Sequence, residues 1–108
     1  MSQLDPAIHP ITRLKICAAL AAAGATEENI RKEMRFAQLR DIVDTTDATL
    51  SKQLSALEEH GYVTRFREYG SSRAKDTVWV TLTNAGLAAY RGHMDALRSI
   101  AGEDHVSG

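Results

Sequence analysis

The sequence contains one cysteine, Cys17, which cannot form a disulfide within a single chain. One thiol also cannot supply a cysteine metal cluster. The chain has no run of about 18 apolar residues, so it predicts no membrane-spanning helix. Its first residues lack the basic start and apolar core of a signal peptide. These absences predict a protein of the cytoplasm, in a reduced compartment, with no membrane partner.

Aromatic residues are also few, and the net charge is close to zero. Only 6% of residues are aromatic, so aliphatic side chains must fill the core. The formal net charge is −1, unlike that of a highly basic, non-specific nucleic-acid coat. DNA binding needs only that basic residues share a face. The 108 residues allow one compact domain with a modest core, and we expect a single domain over residues 1–108.

Sequence patterns of catalysis and metal binding are missing as well. There is no glycine-rich phosphate loop and no serine in a nucleophile elbow. The four histidines lack the spacing that places two ligands on one helix face. Cys17 lies at a predicted buried position, which favours a packed, inert thiol over the alternative of a redox sensor. We predict no enzyme, no metal site and no cofactor.

The chain begins with a predicted N-terminal arm, residues 1–9, followed by a helix. Pro10 suits the first position of that helix, and Gly24 is a natural C-terminal stop. Apolar residues cover more than one face of this helix, which predicts that it is enclosed on several sides. In a small domain, the extra face is often covered by a partner subunit.

The segment 25–35 is polar, with Ile30 and Met34 as apolar anchors. Thr26 could cap one short helical turn there. A compact helix, AQLRDIVD, follows Phe36. We expect it to turn three apolar residues inward: Leu39, Ile42 and Val43.

The chain breaks at residues 44–46, where short polar side chains favour local hydrogen bonds, and a third helix follows. Thr46 is its predicted N-cap, accepting from the N–H near Thr49. Three leucines at spacings of four and three, Leu50, Leu54 and Leu57, form one buried stripe. Gly61 should end the helix.

The period then changes to two. Residues 62–69 and 77–82 alternate as strands do, and the polar sequence GSSRAKD lies between them as a hairpin tip. Thr83 is the predicted N-cap of a last helix, with Leu82 packing on Leu87 as a hydrophobic staple. Apolar residues of this helix recur at spacings of three and four, like a coiled-coil seam.

The order helix, helix, helix, hairpin, helix describes a winged helix-turn-helix, a mainly α fold with a small β-hairpin wing. We expect the core over residues 10–82, a C-terminal dimerisation helix over 83–101 and a flexible tail over 102–108. The terminal helices should form a homodimer interface. Its predicted residues are Ile11, Leu14, Leu87, Tyr90, Met94, Leu97 and Ala101.

The run Leu50-Ser51-Lys52, Leu54, Leu57-Glu58 and Gly61-Tyr62-Val63 resembles the recognition helix of the MarR/ArsR-type winged-helix regulators. The later Leu82-Thr83 and Gly86, followed by Ala89-Tyr90, resemble the start of the final helix of that family. The resemblance covers about residues 8–97 and is nearest to the short, single-domain subgroup. It implies a DNA-binding transcriptional regulator whose helix spacing responds to a small-molecule effector or a redox event.

The predicted recognition helix presents short side chains that allow close approach to a major groove about 12 Å wide. Gln53 can pair with adenine, and Lys52 can reach guanine or a phosphate. The carboxylate of Asp47 would repel a nearby phosphate, although in the first turn it also complements the helix dipole. Basic residues of the wing can neutralise phosphates, and an arginine at its tip can enter the minor groove. The predicted DNA-binding residues are Thr46, Thr49, Ser51, Lys52, Gln53, Ser55, Arg65, Arg67, Arg73 and Lys75.

These features predict a sequence-specific regulator of transcription, a repressor that binds double-stranded DNA as a homodimer on a pseudo-palindromic operator. Arg65 and Arg67, which share one strand face, could equally be structural. The alternative function is a winged-helix protein–protein interaction module without DNA binding. The near-zero net charge and the acidic pair Glu58 and Glu59 favour that alternative.

Overall fold

The computed structural model describes residues 3–29 and 33–102 of the chain. Within them it forms four helices and three strands. These are α1 (Ile11–Ala22), β1 (Met34–Arg35), α2 (Phe36–Val43), α3 (Asp47–Glu59), β2 (Val63–Glu68), β3 (Thr77–Leu82) and α4 (Asn84–Ile100). The predicted order of helices and hairpin is confirmed, and β1 is an addition to it. None of the described helices is both long and apolar enough to cross a membrane.

Two helices end in the same way, at the glycines that predicted their ends. Gly24 after α1 and Gly61 after α3 adopt positive φ angles of 71° and 73°. One residue later, the Ala25 N–H donates to the Leu20 carbonyl, and the Tyr62 N–H donates to the Leu57 carbonyl, both at 2.9 Å. These bonds satisfy carbonyls that a helix end leaves unpaired, and they reverse the chain toward the core.

The three strands form an antiparallel sheet in the order β1-β3-β2. Pairing of β2 with β3 runs from Val63 opposite Leu82 to Glu68 opposite Thr77. On the other edge of β3, Met34 pairs with Val80. Because β3 is central and buried at Val80 and Leu82, its second edge needs backbone partners that a two-stranded hairpin cannot supply.

The prediction for segment 25–35 is therefore partly wrong. Met34 is buried as an anchor, but in a strand. Thr26 starts no helix within the described residues and instead forms a parallel bridge with Leu82. The Leu82 N–H donates to the Ala25 carbonyl at 2.9 Å, which closes the edge of β3. The other predicted anchor, Ile30, lies outside the described residues.

The core lies between α1, the other helices and the sheet. The three leucines of α3 are fully buried, as predicted, together with Ile16, Cys17 and Leu20 of α1. In α2, Leu39 and Val43 are buried but Ile42 is 54% exposed, so its predicted inward orientation is wrong. Leu39 and Val43 are four residues apart and share a face, whereas Ile42 lies about 100° around the helix from Val43.

Part of the predicted N-terminal arm packs against the domain. Ala7 and Ile8 are buried. The Asp5 carboxylate accepts from the Ala7 N–H at 2.8 Å and from the Tyr62 hydroxyl at 2.7 Å. The Asp5 N–H donates to Nδ1 of His93 in α4 at 2.9 Å. Asp5 thereby joins α4 to Tyr62, which lies in the connection between α3 and β2. Pro10, predicted at the first helical position, is the N-cap of α1.

Candidate nucleic-acid interface

The turn between α2 and α3 positions the predicted recognition helix. Asp44 ends α2 in the left-handed region, with φ 59°. Thr46 then caps α3, and its Oγ1 accepts from the Thr49 N–H at 3.1 Å, as predicted. The short connection keeps α2 and α3 adjacent, as in a helix-turn-helix.

The carboxylate of Asp47, at the start of α3, is paired with a residue of α2. Nη1 of Arg40 donates to Oδ1 of Asp47 at 2.9 Å, and its Nε donates to Oδ1 of Asp41 at 3.0 Å. The guanidinium offsets part of the negative charge that would otherwise face a phosphate backbone. Sequence reasoning missed this pair because Arg40 and Asp47 belong to different helices whose packing was not known.

The predicted base-reading residues lie on the face of α3 opposite the leucine stripe or beside it. Thr46, Thr49, Lys52 and Ser55 are exposed, whereas Ser51 and Gln53 are half-buried. Lys52 has no ion-pair partner among residues 3–29 and 33–102. This face is therefore open to a ligand, and its short side chains permit close approach.

A groove of about 600 Å³ separates α3 from the wing, which we define as residues 63–82. Ala48 and Ser51 line it on the helix side, and Arg65 and Arg67 line it on the strand side. The two arginines differ in their surroundings. Arg65 is hydrogen-bonded to Glu58, Ser51 and Ser55, whereas the one side-chain hydrogen bond of Arg67 to a described residue is to Oδ2 of Asp76 at 3.4 Å.

The wing tip is a tight loop held by Asp76, a residue that sequence reasoning did not single out. Oδ1 of Asp76 accepts from the Gly70 N–H at 2.9 Å. A Cβ at position 70 would lie 1.9 Å from the Ala74 carbonyl oxygen, so the loop requires glycine there. Arg73 and Lys75 are exposed at this tip, and neither has an ion-pair partner in the described part of the chain.

The sequence profile of the family described as "winged helix DNA-binding domain" matches residues 12–101. This chain belongs to that winged-helix family. The match spans the helices, the wing and α4, so the predicted fold class is confirmed. A comparison with curated proteins gave no match.

Solved structures of transcriptional regulators resemble the winged-helix domain. A transcriptional regulator homologue from Pyrococcus horikoshii OT3 has 20% identity and a TM-score of 0.73, over 90% of this chain and 86% of the other. NadR, solved in complex with 4-hydroxyphenylacetate, has 21% identity and a TM-score of 0.66, over 94% of this chain and 65% of its own. ZitR from Lactococcus lactis, a zinc-responsive MarR family member, has 18% identity and a TM-score of 0.58, over 88% and 58%. These likenesses confirm the resemblance to MarR-type regulators at the level of the fold, and the chain is shorter than NadR and ZitR.

Within residues 3–29 and 33–102 of the winged-helix domain, no group of three or more His, Cys, Asp or Glu side chains could hold a metal ion. Cys17 is fully buried in α1. Burial, and to a lesser extent the nearby charge of Asp5, raises the pKa of Cys17 to about 12. Because the thiolate is the reactive form, this environment supports the packed, inert thiol over the redox sensor.

The predicted dimer residues of the winged-helix domain do not all lie at the surface. Ile11 and Ala101 are exposed, while Leu14, Tyr90, Met94 and Leu97 are half-buried and remain partly open to a partner. Leu87 is only 4% exposed and belongs to the core of its own chain. Its position follows from the cap of α4, because Thr83 Oγ1 accepts from the Gly86 N–H and turns the first helical turn onto the sheet.

His93 is a buried titratable group that sequence reasoning did not identify. Its Nδ1 accepts the Asp5 N–H, so the neutral ring carries its proton on Nε2. That nitrogen is buried and has no hydrogen-bond partner in the described part of the chain. Burial lowers the pKa of His93 from 6.5, as does the charge of His9, while Asp5 acts in the opposite direction. Protonation would also break the bond between His93 and the N-terminal arm.

The winged-helix domain is therefore expected to lose stability as the pH falls below about 6.5. The unfolded state binds a proton at His93 before the folded state does, so the free energy of unfolding should decrease by up to about 1.4 kcal/mol per pH unit until the lowered pKa is reached. Urea unfolding at pH 7.5 and 5.5 measures this, with His93→Gln as the comparison. An equal pH dependence in both proteins would exclude His93 as its source.

Proposed function

We propose that this winged-helix domain represses transcription as a homodimer that binds a pseudo-palindromic operator. The observation that carries the proposal is that α3 and the wing border one groove and that each exposes basic side chains. The outer face of α3 is open at Lys52, and the adjacent wing tip exposes Arg73 and Lys75 without ion-pair partners in the described residues. One surface suits a major groove and the other suits the flanking phosphates or minor groove.

The two surfaces have different roles in this proposal. Lys52 and Gln53 read base edges, while Thr46, Thr49 and the serines of α3 allow close approach or contact phosphates. Arg73 and Lys75 supply electrostatic attraction that does not depend on sequence. Selection of bound duplexes from random DNA tests the whole proposal. A two-fold symmetric consensus, with half-sites about one helical turn apart, would support it, and recovery of no consensus would contradict it.

Homodimerisation rests on the apolar residues of α1 and α4 that the domain itself leaves partly open. Tyr90, Met94 and Leu97 recur along one side of α4, and Ile11 of α1 is exposed. Two copies joined through these residues would place two recognition helices on one face of a duplex. In this proposal the protein acts in the cytoplasm and has no catalytic activity.

A small-molecule effector is part of the proposal, since NadR was solved with 4-hydroxyphenylacetate and ZitR is described as zinc-responsive. Such an effector would change operator affinity only if the dimer has two conformations that differ in the spacing of the recognition helices and the effector binds one of them more tightly. Titration of the protein–operator complex with small aromatic acids, followed by fluorescence anisotropy, would detect such release.

A protein–protein module is the second candidate. Phe66 and Tyr69 on and after β2 are 61% and 80% exposed, and exposed aromatic residues are typical of protein interfaces. Glu58 no longer favours this candidate, because Arg65 neutralises it. A salt titration separates the two functions. DNA binding through phosphates makes log affinity fall linearly with log salt concentration, whereas no binding to duplex at low salt would favour the protein module.

Replacing Arg73 with glutamine should weaken binding to every duplex. One lost phosphate contact should reduce the slope of log affinity against log salt by about 0.9 for each wing. Fluorescence anisotropy over a range of salt concentrations measures the slope. Lys15→Gln removes the same charge from α1, outside the wing and α3, and should leave the slope unchanged. An unchanged slope in the Arg73 variant would remove the wing tip from the mechanism.

A further inference from the structure

We infer that Arg65 is a positioning residue that fixes the wing to the recognition helix through Glu58, Ser51 and Ser55, and that it does not neutralise a phosphate. The inference rests on the proposed function and refines it. It divides the arginines of the wing into two kinds. Arg65 sets the geometry of the interface, whereas Arg67 and Arg73 supply charge to the DNA.

The Arg65 guanidinium makes four hydrogen bonds, and all of them go to α3. Nε donates to Oε1 of Glu58 at 2.8 Å, and Nη2 donates to the same oxygen. Nη2 also donates to Oγ of Ser55 at 2.9 Å, and Nη1 donates to Oγ of Ser51 at 3.2 Å. A guanidinium has five N–H donors, so little capacity remains for a phosphate. Binding a phosphate through two donors would require breaking the contacts to α3.

The geometry of both elements explains why this contact forms. Ser51, Ser55 and Glu58 recur at spacings of four and three and therefore share one side of α3 over two turns. On β2, Val63, Arg65 and Arg67 alternate onto the face that meets the core and the groove. Arg65 is the middle residue of the three, between the buried base of the wing and its exposed distal part.

The position of Arg65 along the wing determines what it can control. Only Val80 and Trp79 of β3 are paired with β1, so the distal part of the hairpin is held by its own two strands. Arg65 lies opposite Val80, one of the two residues of β3 that pair with β1, and the third strand ends one residue pair further toward the tip, where Phe66 lies opposite Trp79. Beyond it, the wing tip with Arg73 and Lys75 has no other hydrogen bond or ion pair to α3 among the described residues. The orientation of the tip relative to α3 therefore depends on this contact.

Arg67 is the comparison that the chain itself offers. It lies two residues further along the same face of β2, and its side chain is 56% exposed, against 24% for Arg65. Its single ion pair, with Asp76, is 3.4 Å long and remains within the wing. An exposed arginine with one weak partner can turn to a phosphate, whereas Arg65 is already compensated by Glu58.

The first test compares Arg65→Gln with Arg67→Gln on two duplexes, the operator selected by the unmodified protein and a random sequence. Arg65→Gln should lower operator affinity about tenfold, the scale of one lost base contact, and leave random-duplex affinity and its salt slope unchanged. Arg67→Gln should reduce the salt slope on both duplexes by about 0.9 per wing. The inference is overturned if Arg65→Gln reduces the slope on random DNA as Arg67→Gln does, or if it changes neither duplex.

The second test compares Glu58→Ala with Glu59→Ala, which remove the same charge from adjacent positions of α3. Glu59 is exposed and has no ion pair within the described residues. If Arg65 positions the wing through Glu58, the ratio of operator to random-duplex affinity falls about tenfold in the Glu58 variant and is retained in the Glu59 variant. If Glu58 only restrains a phosphate-binding arginine, its removal strengthens binding to both duplexes.

Amide hydrogen exchange tests the contact between Arg65 and α3 without DNA. Residues 67–77 should exchange faster in Arg65→Gln than in Arg67→Gln, while the leucines of α3 retain their protection, which also shows that the variant is folded. Equal exchange of the wing in both variants would overturn the inference. Failure of the proposed function would give a different result. The unmodified protein would then bind neither duplex, and the amide exchange rates of the wing would have no bearing on that outcome.

Discussion

In the proposed homodimer, replacing Leu97 with glutamate is expected to yield a monomer and to lower operator affinity on the order of a thousandfold, toward the level of non-specific binding. Leu97 is half-buried within one chain, on the side of α4 that carries Tyr90 and Met94. In a dimer this side would be covered, and an unpaired carboxylate there costs several kcal/mol. A monomer places one recognition helix on the DNA, so it loses the contacts of the second half-site.

Sedimentation of the variant and fluorescence anisotropy with the operator give the two required measurements. Ala88→Glu is the matched control, because Ala88 is exposed on the opposite side of α4 and receives the same charge. We expect that control to remain dimeric and to bind normally. A dimeric Leu97 variant would place the interface elsewhere, and a monomer with full operator affinity would remove dimerisation from the mechanism.

Replacing Gly86 with alanine is expected to destabilise the fold by about 3 kcal/mol, at the upper end for overpacking by one methyl group. A Cβ at this position would lie 2.1 Å from the Tyr62 carbonyl oxygen and 2.8 Å from Cδ1 of Leu82. The leucine can move, but the carbonyl cannot do so freely. It accepts the Thr83 N–H at 2.9 Å, and it belongs to the turn that ends α3.

Gly92→Ala provides the comparison within the same helix. A Cβ at Gly92 would meet no atom within 4 Å. This variant should gain about 0.5–1 kcal/mol, because alanine loses less backbone entropy than glycine in a helix. Urea unfolding followed by circular dichroism measures both. Similar effects of the two substitutions would show that the start of α4 is not packed against the Tyr62 carbonyl as described.

Local signals in the sequence were sufficient for most elements of the fold. Thr46 and Thr83 accept the hydrogen bonds expected of N-caps, and Gly24 and Gly61 end helices with positive φ. The leucine stripe of α3 is buried as its spacing predicts. Each of these features depends on residues within about four positions of one another, so the chain carries the information before it folds.

The candidate interface could be predicted from the sequence only in part. Residue types and their spacing placed Lys52, Arg73 and Lys75 on surfaces that are indeed exposed. They could not distinguish Arg65 from Arg67, since two arginines on one strand face look alike in a sequence. The difference arises from the partners that the fold brings to each arginine. Arg65 meets α3, whereas Arg67 meets Asp76 in the loop between β2 and β3.

The sequence by itself determined where α3 and α4 begin, where α1 and α3 end, which face of α3 is buried, and that a wing follows it. Only the tertiary structure decided that Met34 completes the sheet, that Leu87 belongs to its own core, and that Arg65 joins the wing to α3. The reason is physical. Caps and stripes are satisfied by neighbours in the chain, whereas ion pairs and strand edges are satisfied by whichever distant element packing brings within hydrogen-bonding distance.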